Sequence, residues 1–168
     1  MWSLLLRTLK KGRLTEKGEP VRISPKSSNL PINFKRSLQI RHLDCGSCNG
    51  CDWELTALIN PVYDLKHFGI DFVSSPRHAD LLMCTGTGST QLLKAAHETY
   101  EAMAKPKWVM AVGDCANDGG VFKGAYASGA GIGGVLPVDF KVLGCPPLPD
   151  DIINAILGMM GKEIEPRT

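Results

Sequence analysis

From Ser37 onward the chain alternates between two hydrophobic rhythms. SLQIRHL (37–43) alternates enough to be a strand, and it runs straight into a loop of cysteine and glycine. WELTALINPVYDL (53–65) carries apolar residues at helical spacing, with Asp52 placed to cap its first turn. IDFV and ADLLMCTG follow as strands, the second an apolar run of the kind buried on both faces. Residues 89–104 (STQLLKAAHETYEAMA) form the clearest helical pattern, with a Ser/Thr start and Pro106 just beyond the end. WVMAVGDC is another buried strand. After a glycine-dense loop, VLPVDFKVLGC is a further strand candidate and PDDIINAILGMMG a last helix with acidic residues in its first turn. Strands that alternate with helices predict an α/β domain with a mainly parallel sheet, in which sites form beyond the carboxyl ends of the strands.

The first 36 residues have a different texture. Residues 14–34 hold three prolines and little periodicity, which predicts an extended arm laid over another subunit. The expected organisation is a basic arm at 1–36, an α/β domain at 37–161 and a short tail at 162–168. The formal charge of +2 hides an asymmetry: residues 1–44 hold ten Lys/Arg against three Asp/Glu, and the remainder holds nine against fourteen. A basic arm on an acidic body suggests an anionic partner. No stacking aromatics are interleaved with the basic residues, so nucleic acid is not expected. Trp2, Leu4, Leu5, Leu6 and Leu9 with Arg7, Lys10, Lys11 and Arg13 make a short amphipathic element suited to a membrane surface or to membrane subunits. The opening apolar stretch is too short for a signal peptide, and no run approaches the ~20 residues that span a bilayer, so a cytoplasmic location is expected.

That compartment changes the meaning of the cysteines. Disulfides are rare there, so clustered cysteines read as metal ligands or redox groups. Three of the six fall in one loop, at 45, 48 and 51. Cys48 and Cys51 follow the first strand, Cys115 ends WVMAVGDC, and Cys145 ends the VLPVDFKVLGC segment. All four therefore arrive at one edge of a parallel sheet. One C-x-x-C with two isolated cysteines suits an iron–sulfur cluster better than zinc, which more often uses two close pairs, and a thiol redox pair would need neither Cys115 nor Cys145. Spacing alone leaves these three open, with the cluster favoured.

Four segments, CGSCNGCDWE, SPRHADLL, GDCANDGG and GCPPLP, stand in a particular order and spacing. In them the chain resembles the small, cluster-bearing subunit shared by complex I (its 20 kDa-type subunit) and the membrane-bound, energy-converting [NiFe] hydrogenases. The resemblance covers about residues 37–160. It implies a flavodoxin-like, three-layer α/β fold and one [4Fe–4S] cluster on Cys48, Cys51, Cys115 and Cys145. Complex I subunits carry two adjacent cysteines in the first motif, whereas Cys48-Asn49-Gly50-Cys51 is the separated arrangement of formate-hydrogenlyase-like hydrogenases. The implied partners are a large catalytic subunit that holds the Ni–Fe centre, a ferredoxin-like iron–sulfur subunit and membrane-arm subunits, at the cytoplasmic face of the inner or plasma membrane. Alternatives are a complex I-like or sulfur-reducing relative without nickel, and a zinc-stabilised docking module.

The same resemblance marks Arg77, in SPRHAD, as a cation beside the cluster; the plainer reading is an ion pair with Asp80. It also marks Glu54 as a proton carrier at the subunit interface, where loss of water would raise a carboxyl pKa, against the plainer reading of an acid in a helix's first turn. Cys45 is expected to be a spare thiol near the site, with a lesser chance of replacing Cys48, and Cys84 a small core residue. His42 and His78 are expected to be structural. CTGTGST lacks the third glycine of a dinucleotide fingerprint, so Gly86 and Gly88 predict a tight strand-to-helix turn. The glycine-dense loop at 124–134 is expected to pack against a partner.

Overall fold

The computed structural model describes residues 37–162. The basic arm, its amphipathic start and most of the C-terminal tail lie outside the described residues. Five strands, β1 (Leu38–Asp44), β2 (Ile70–Phe72), β3 (Leu81–Thr85), β4 (Trp108–Val112) and β5 (Phe140–Val142), pair in parallel in the order β2-β1-β3-β4-β5. The helices are α1 (Gly50–Ala57), α2 (Leu93–Ala102), α3 (Asp114–Asp118) and α4 (Pro149–Met159). Parallel strands expose no face to water, and the apolar run of β3 is buried throughout.

Strand alternation divides the core into two layers. Leu38, Ile40, Leu81, Met83, Met110 and Val112 point to one face, where Leu55 and Leu58 and the apolar side of α4 cover them. Leu82, Cys84, Val109 and Ala111 point to the other face, against Ala96 and Met103 and against Ala116 and Ile132. The result is helix, sheet, helix: the three-layer α/β architecture that the rhythm of the sequence requires. Leu58, Ile152 and Ile156 are completely buried, worth about 1.5–3 kcal/mol each in transfer free energy.

Several element ends depart from the sequence reading. The first helix starts earlier, at Gly50, and stops at Ala57 rather than running to 65. Pro61 cannot donate to a helix, and the Asn60 side chain accepts the Val62 and Tyr63 N–H groups at 2.8 and 3.0 Å, closing a turn instead. The second helix begins only at Leu93, because the Ser89 and Thr90 N–H groups are drawn to the carbonyls of Cys45 and Ala127. The last strand shrinks to three residues. Asp139 spends its side chain on the Val109 N–H at 3.0 Å, just before the strand begins.

The strand order reverses between β1 and β3, so the loops that leave these strands diverge over a crevice. Before they part they touch. A Cβ on Gly86, at φ +86°, would stand 2.5 Å from both the Gly46 carbonyl carbon and the Ser47 nitrogen. Only glycine fits that crossing, by space and by backbone conformation alike. Gly86→Ala should therefore cost more than about 2 kcal/mol in urea unfolding. Gly133→Ala, with no atom within 4 Å of the added Cβ, should stay close to wild type. Equal stability of the two variants would contradict the crossing.

Candidate metal centre

Three loops at one edge of the sheet carry the cysteines of interest. In the loop after β1 the Asp44 carboxylate accepts the Gly46 and Ser47 N–H groups at 2.8 and 2.7 Å, which turns the chain tightly. Cys48 follows, exposed, and Asn49 in the left-handed region (φ 70°) starts α1, so Cys51 stands in its first turn. After β4, Cys115 lies in α3, one residue past Asp114. Asp114 stitches this loop to the one after β5: its N–H donates to the Gly144 carbonyl at 2.9 Å, and its side chain accepts the Gly144 N–H at 2.9 Å. Cys145 is thereby held beside the Cys115 loop, and it too is exposed.

The sulfurs share one electrostatic neighbourhood. The Cys51 thiol is pushed up to about 12, chiefly by burial, then by the charges of Asp52, Cys115, Cys48 and Cys145. Burial also raises Cys115, and Cys145 and Cys48 raise it further. Both effects hold the protons on Cys51 and Cys115, so a metal group held here would have to displace those protons and supply positive charge. The local shape suits such a group. A Cβ on Gly113 would fall 2.5 Å from the Cys51 sulfur, so a bare glycine leaves the space that the thiol occupies. Among the described residues, no three His, Cys, Asp or Glu side chains close around a point as they would for one metal ion. A set of four soft thiols from three rigid loops fits a polynuclear iron–sulfur body.

The remaining candidates fall elsewhere. Cys45 is not on the loop rim: it is 1% exposed and packs with Cys84 in the core layer on the α2 side, whereas Cys51 packs against the opposite layer. A hydrogen bond between the two thiols lowers the Cys45 pKa and raises that of Cys84. Cys84 is the small core residue that its strand predicts. Arg77 is exposed on the turn Pro76–His78 that enters β3. The cysteines follow the far, carboxyl ends of the strands, so Arg77 lies one strand length, about 16 Å, from their edge rather than beside them. Nor does it pair with Asp80, whose side chain instead accepts the Gln39 N–H at 2.9 Å. Glu54 sits on α1, half-buried, just after the exposed Trp53. In the glycine-dense loop, Gly129 and Gly131 press on this chain's own Gly88 and Asn117 carbonyls, while Val121, Phe122 and Tyr126 stand exposed.

A group of residues that the sequence reading did not connect lies under α1. Asp52 does not cap the helix. Its carboxylate reaches back to the sheet, where Oδ1 accepts the Thr85 hydroxyl at 2.7 Å and meets His42 Nε2 at 2.9 Å, and Oδ2 accepts the Ser47 hydroxyl. A carboxylate only accepts, so Nε2 of His42 carries the proton. His42 and Thr85 face α1 together because strand side chains alternate and the register pairs His42 with Met83 and Asp44 with Thr85. His42 and Asp52 also line an open cavity of ≈ 240 Å³ with Leu55, Thr56, Ile59 and Phe72. Burial lowers the His42 pKa from its usual 6.5, outweighing the attraction of Asp52 and Asp44. The folded state thus binds a proton less readily than the unfolded chain. The stability this residue contributes is full above pH 6.5 and falls as the pH drops through its lowered value. Urea unfolding of the wild type should lose stability as the pH falls below 6.5. His42→Gln should flatten that stretch of the curve, and an unchanged slope would refute the assignment.

The comparisons bear on the family and the fold. Residues 48–159 match the family model described as NADH ubiquinone oxidoreductase, 20 Kd subunit. The chain is 38% identical over 149 residues to the probable membrane-bound hydrogenase subunit mbhJ of Pyrococcus furiosus, covering 89% of this chain and 89% of that protein. It is 35% identical over 148 residues to formate hydrogenlyase subunit 7 of Escherichia coli K12, covering 86% of this chain but only 58% of the relative. Among solved structures, a chain of the membrane-bound sulfane sulfur reductase, an archaeal respiratory membrane complex, superposes with a TM-score of 0.68 at 34% identity, covering 79% of this chain and 75% of that one. Fold, motif order and these likenesses together make the chain a member of the NADH ubiquinone oxidoreductase 20 Kd subunit family.

Proposed function

We propose that this chain is the electron-transfer subunit of a membrane-associated oxidoreductase complex of the [NiFe] hydrogenase type, with a single [4Fe–4S] cluster on Cys48, Cys51, Cys115 and Cys145. The observation that carries the reading is the convergence of these four thiols, from three loops, at one edge of the sheet, where half-buried Cys51 feels the charge of the other three and half-buried Cys115 that of Cys48 and Cys145. Proteins of this family typically bind such a cluster, and relatives of this chain are subunits of membrane-bound complexes. When bound, the cluster supplies one-electron transfer. The chain's own part is to hold it, to keep one side dry and to leave the other open. Cys51 and the core beneath it close the inner side, and Cys48 and Cys145 stay exposed at the rim.

That rim is where a large catalytic subunit would sit. Trp53, Val121, Phe122, Leu143 and Leu148 are exposed apolar residues in the same loops or next to them, a grouping that suits a protein–protein contact. The Ni–Fe centre would belong to that partner, and a ferredoxin-like subunit and membrane-arm subunits complete the assembly. Among the described residues no helix is long and apolar enough to cross a membrane. Attachment to the cytoplasmic face would therefore come from partners, with the N-terminal arm as a further contact. A second reading replaces nickel chemistry in the partner by reduction of sulfur or quinone. It is favoured by the likeness to the sulfane sulfur reductase complex. Nickel content of the purified complex separates the two.

Two substitution sets test the assignments. In the purified complex, Cys115→Ser or Cys145→Ser should abolish electron transfer to the partner and lower iron content, because binding of the cluster and folding of its loops are coupled. Cys84→Ser should keep both. Normal iron in Cys145→Ser would remove that ligand from the set. For Glu54, one turn into α1, the proton-carrier role predicts that Glu54→Gln retains the cluster but loses turnover by about a hundredfold or more, the lower end of the usual general acid–base contribution. Full turnover in Glu54→Gln would leave it an ordinary residue of the helix start.

A further inference from the structure

The carboxylate of Asp52 is the most heavily bonded side chain near the cysteines. It takes hydrogen bonds from Thr85, His42 and Ser47, and the Asn49 N–H in turn donates to Ser47 Oγ at 3.0 Å. These donors come from β1, from β3 and from the cysteine loop itself. They pin the first turn of α1 to the sheet at the residue that follows Cys51. Thr85 and His42 lie on adjacent strands with their polar atoms 3.1 Å apart, so the acceptor is gripped from two directions by groups that cannot move independently of the sheet.

Charge adds a second effect. Asp52 directly follows Cys51 in the first turn of α1, so wherever the hydrogen bonds hold this turn they also hold a carboxylate one residue from that sulfur. The main partner of Asp52 does not cancel its field. His42 is half-buried and its pKa is lowered from the usual 6.5, so at neutral pH it donates a hydrogen bond without bringing a full positive charge. The three donors fix where the negative charge sits while leaving most of it in place. A fixed anion beside a sulfur ligand disfavours an added electron on whatever that ligand holds.

We propose that His42 and Thr85 are positioning residues for the Asp52 carboxylate, and that this carboxylate sets how readily the cysteine site accepts an electron. The inference rests on the reading of Cys48, Cys51, Cys115 and Cys145 as ligands of an iron–sulfur cluster. Its role is distinct from ligation: Asp52 acts through its charge and its grip on α1. Neutralising it makes reduction easier, and loosening it changes the field without changing the charge.

The test is a redox titration of the purified complex, followed through the paramagnetic resonance signal of the reduced cluster, with iron and acid-labile sulfide measured on the same samples. Asp52→Asn keeps the size and most of the hydrogen bonds but removes the charge. At a fixed poised potential it should raise the ratio of reduced to oxidised cluster about tenfold or more, the effect of one unit charge a few ångströms away at an effective protein dielectric. Thr85→Val, which keeps the charge and removes one donor, should move that ratio at least about twofold, and Thr85→Ser should restore it. Wild-type iron content with an unchanged ratio in Asp52→Asn overturns the inference while leaving the cluster intact. Wild-type complex without iron and sulfide in this subunit overturns the cluster reading, and this inference with it. Should Asp52→Asn lose its iron, the threonine pair decides: iron retained with a shifted ratio in Thr85→Val supports the proposal, and an unshifted ratio overturns it.

Discussion

Two backbones cross without room for a side chain where the loops after β1 and β3 leave the sheet. Gly86 lies against the Gly46 and Ser47 peptides, and the Cys45 backbone is hydrogen-bonded on both sides, to Thr85 and to Ser89. Everything at this edge depends on that contact. It sets the height at which the cysteine loop stands above the sheet, and so the level of Cys48. It sets the start of α1, and so the direction from which Cys51 enters. It also brings Asp52 within reach of Thr85, 33 residues along the chain. At the neighbouring strands, Asp114 does the corresponding work with one backbone and one side-chain hydrogen bond to Gly144, joining the loops of Cys115 and Cys145.

The site that results is preorganised in position and unfavourable in charge. Burial and neighbouring acids, Asp52 at Cys51 and Asp114 and Asp118 at Cys115, all oppose loss of the thiol protons. Thiols in such surroundings are inert by themselves. Iron, in the proposed reading, would reverse the balance by neutralising the thiolates, so loading should rigidify loops that already bring the thiols together. The acidic surroundings persist after loading, which makes the site a natural place for electrostatic control of an electron's arrival.

Much of this was legible in the sequence, and the division between what was and what was not has a physical cause. The four cysteines could be assigned to one edge because parallel strands all end on the same side, and Cys48, Cys51, Cys115 and Cys145 each follow a strand. The buried run LLMCT announced a central strand, and the crossing glycines announced a tight turn. Long-range hydrogen bonds could not be read. Asp52 looks like a helix cap from its neighbours, yet register brings Thr85 and His42 to it. Cys45 looks like a member of the cysteine loop, yet the chain turns at Asp44 and buries it beside Cys84 on the opposite face. Arg77 stands in a motif that resembles the family's, yet SPRH precedes the strand ADLLMCTG, and that order puts it at the entering end, away from the cysteines. Helix lengths failed where side chains compete with the backbone, as at Asn60 before Pro61.

The central claim is that four particular thiols of this chain hold one cluster. The most direct measurement is the iron and acid-labile sulfide content of the anaerobically purified complex, assigned to this subunit by comparing the wild type with Cys51→Ser, whose thiol is the most deeply held of the four. The account predicts a loss of about four iron and four sulfide per complex, together with one reduced-state paramagnetic resonance signal. Equal iron and sulfide in the two proteins, with the signal unchanged, would contradict it.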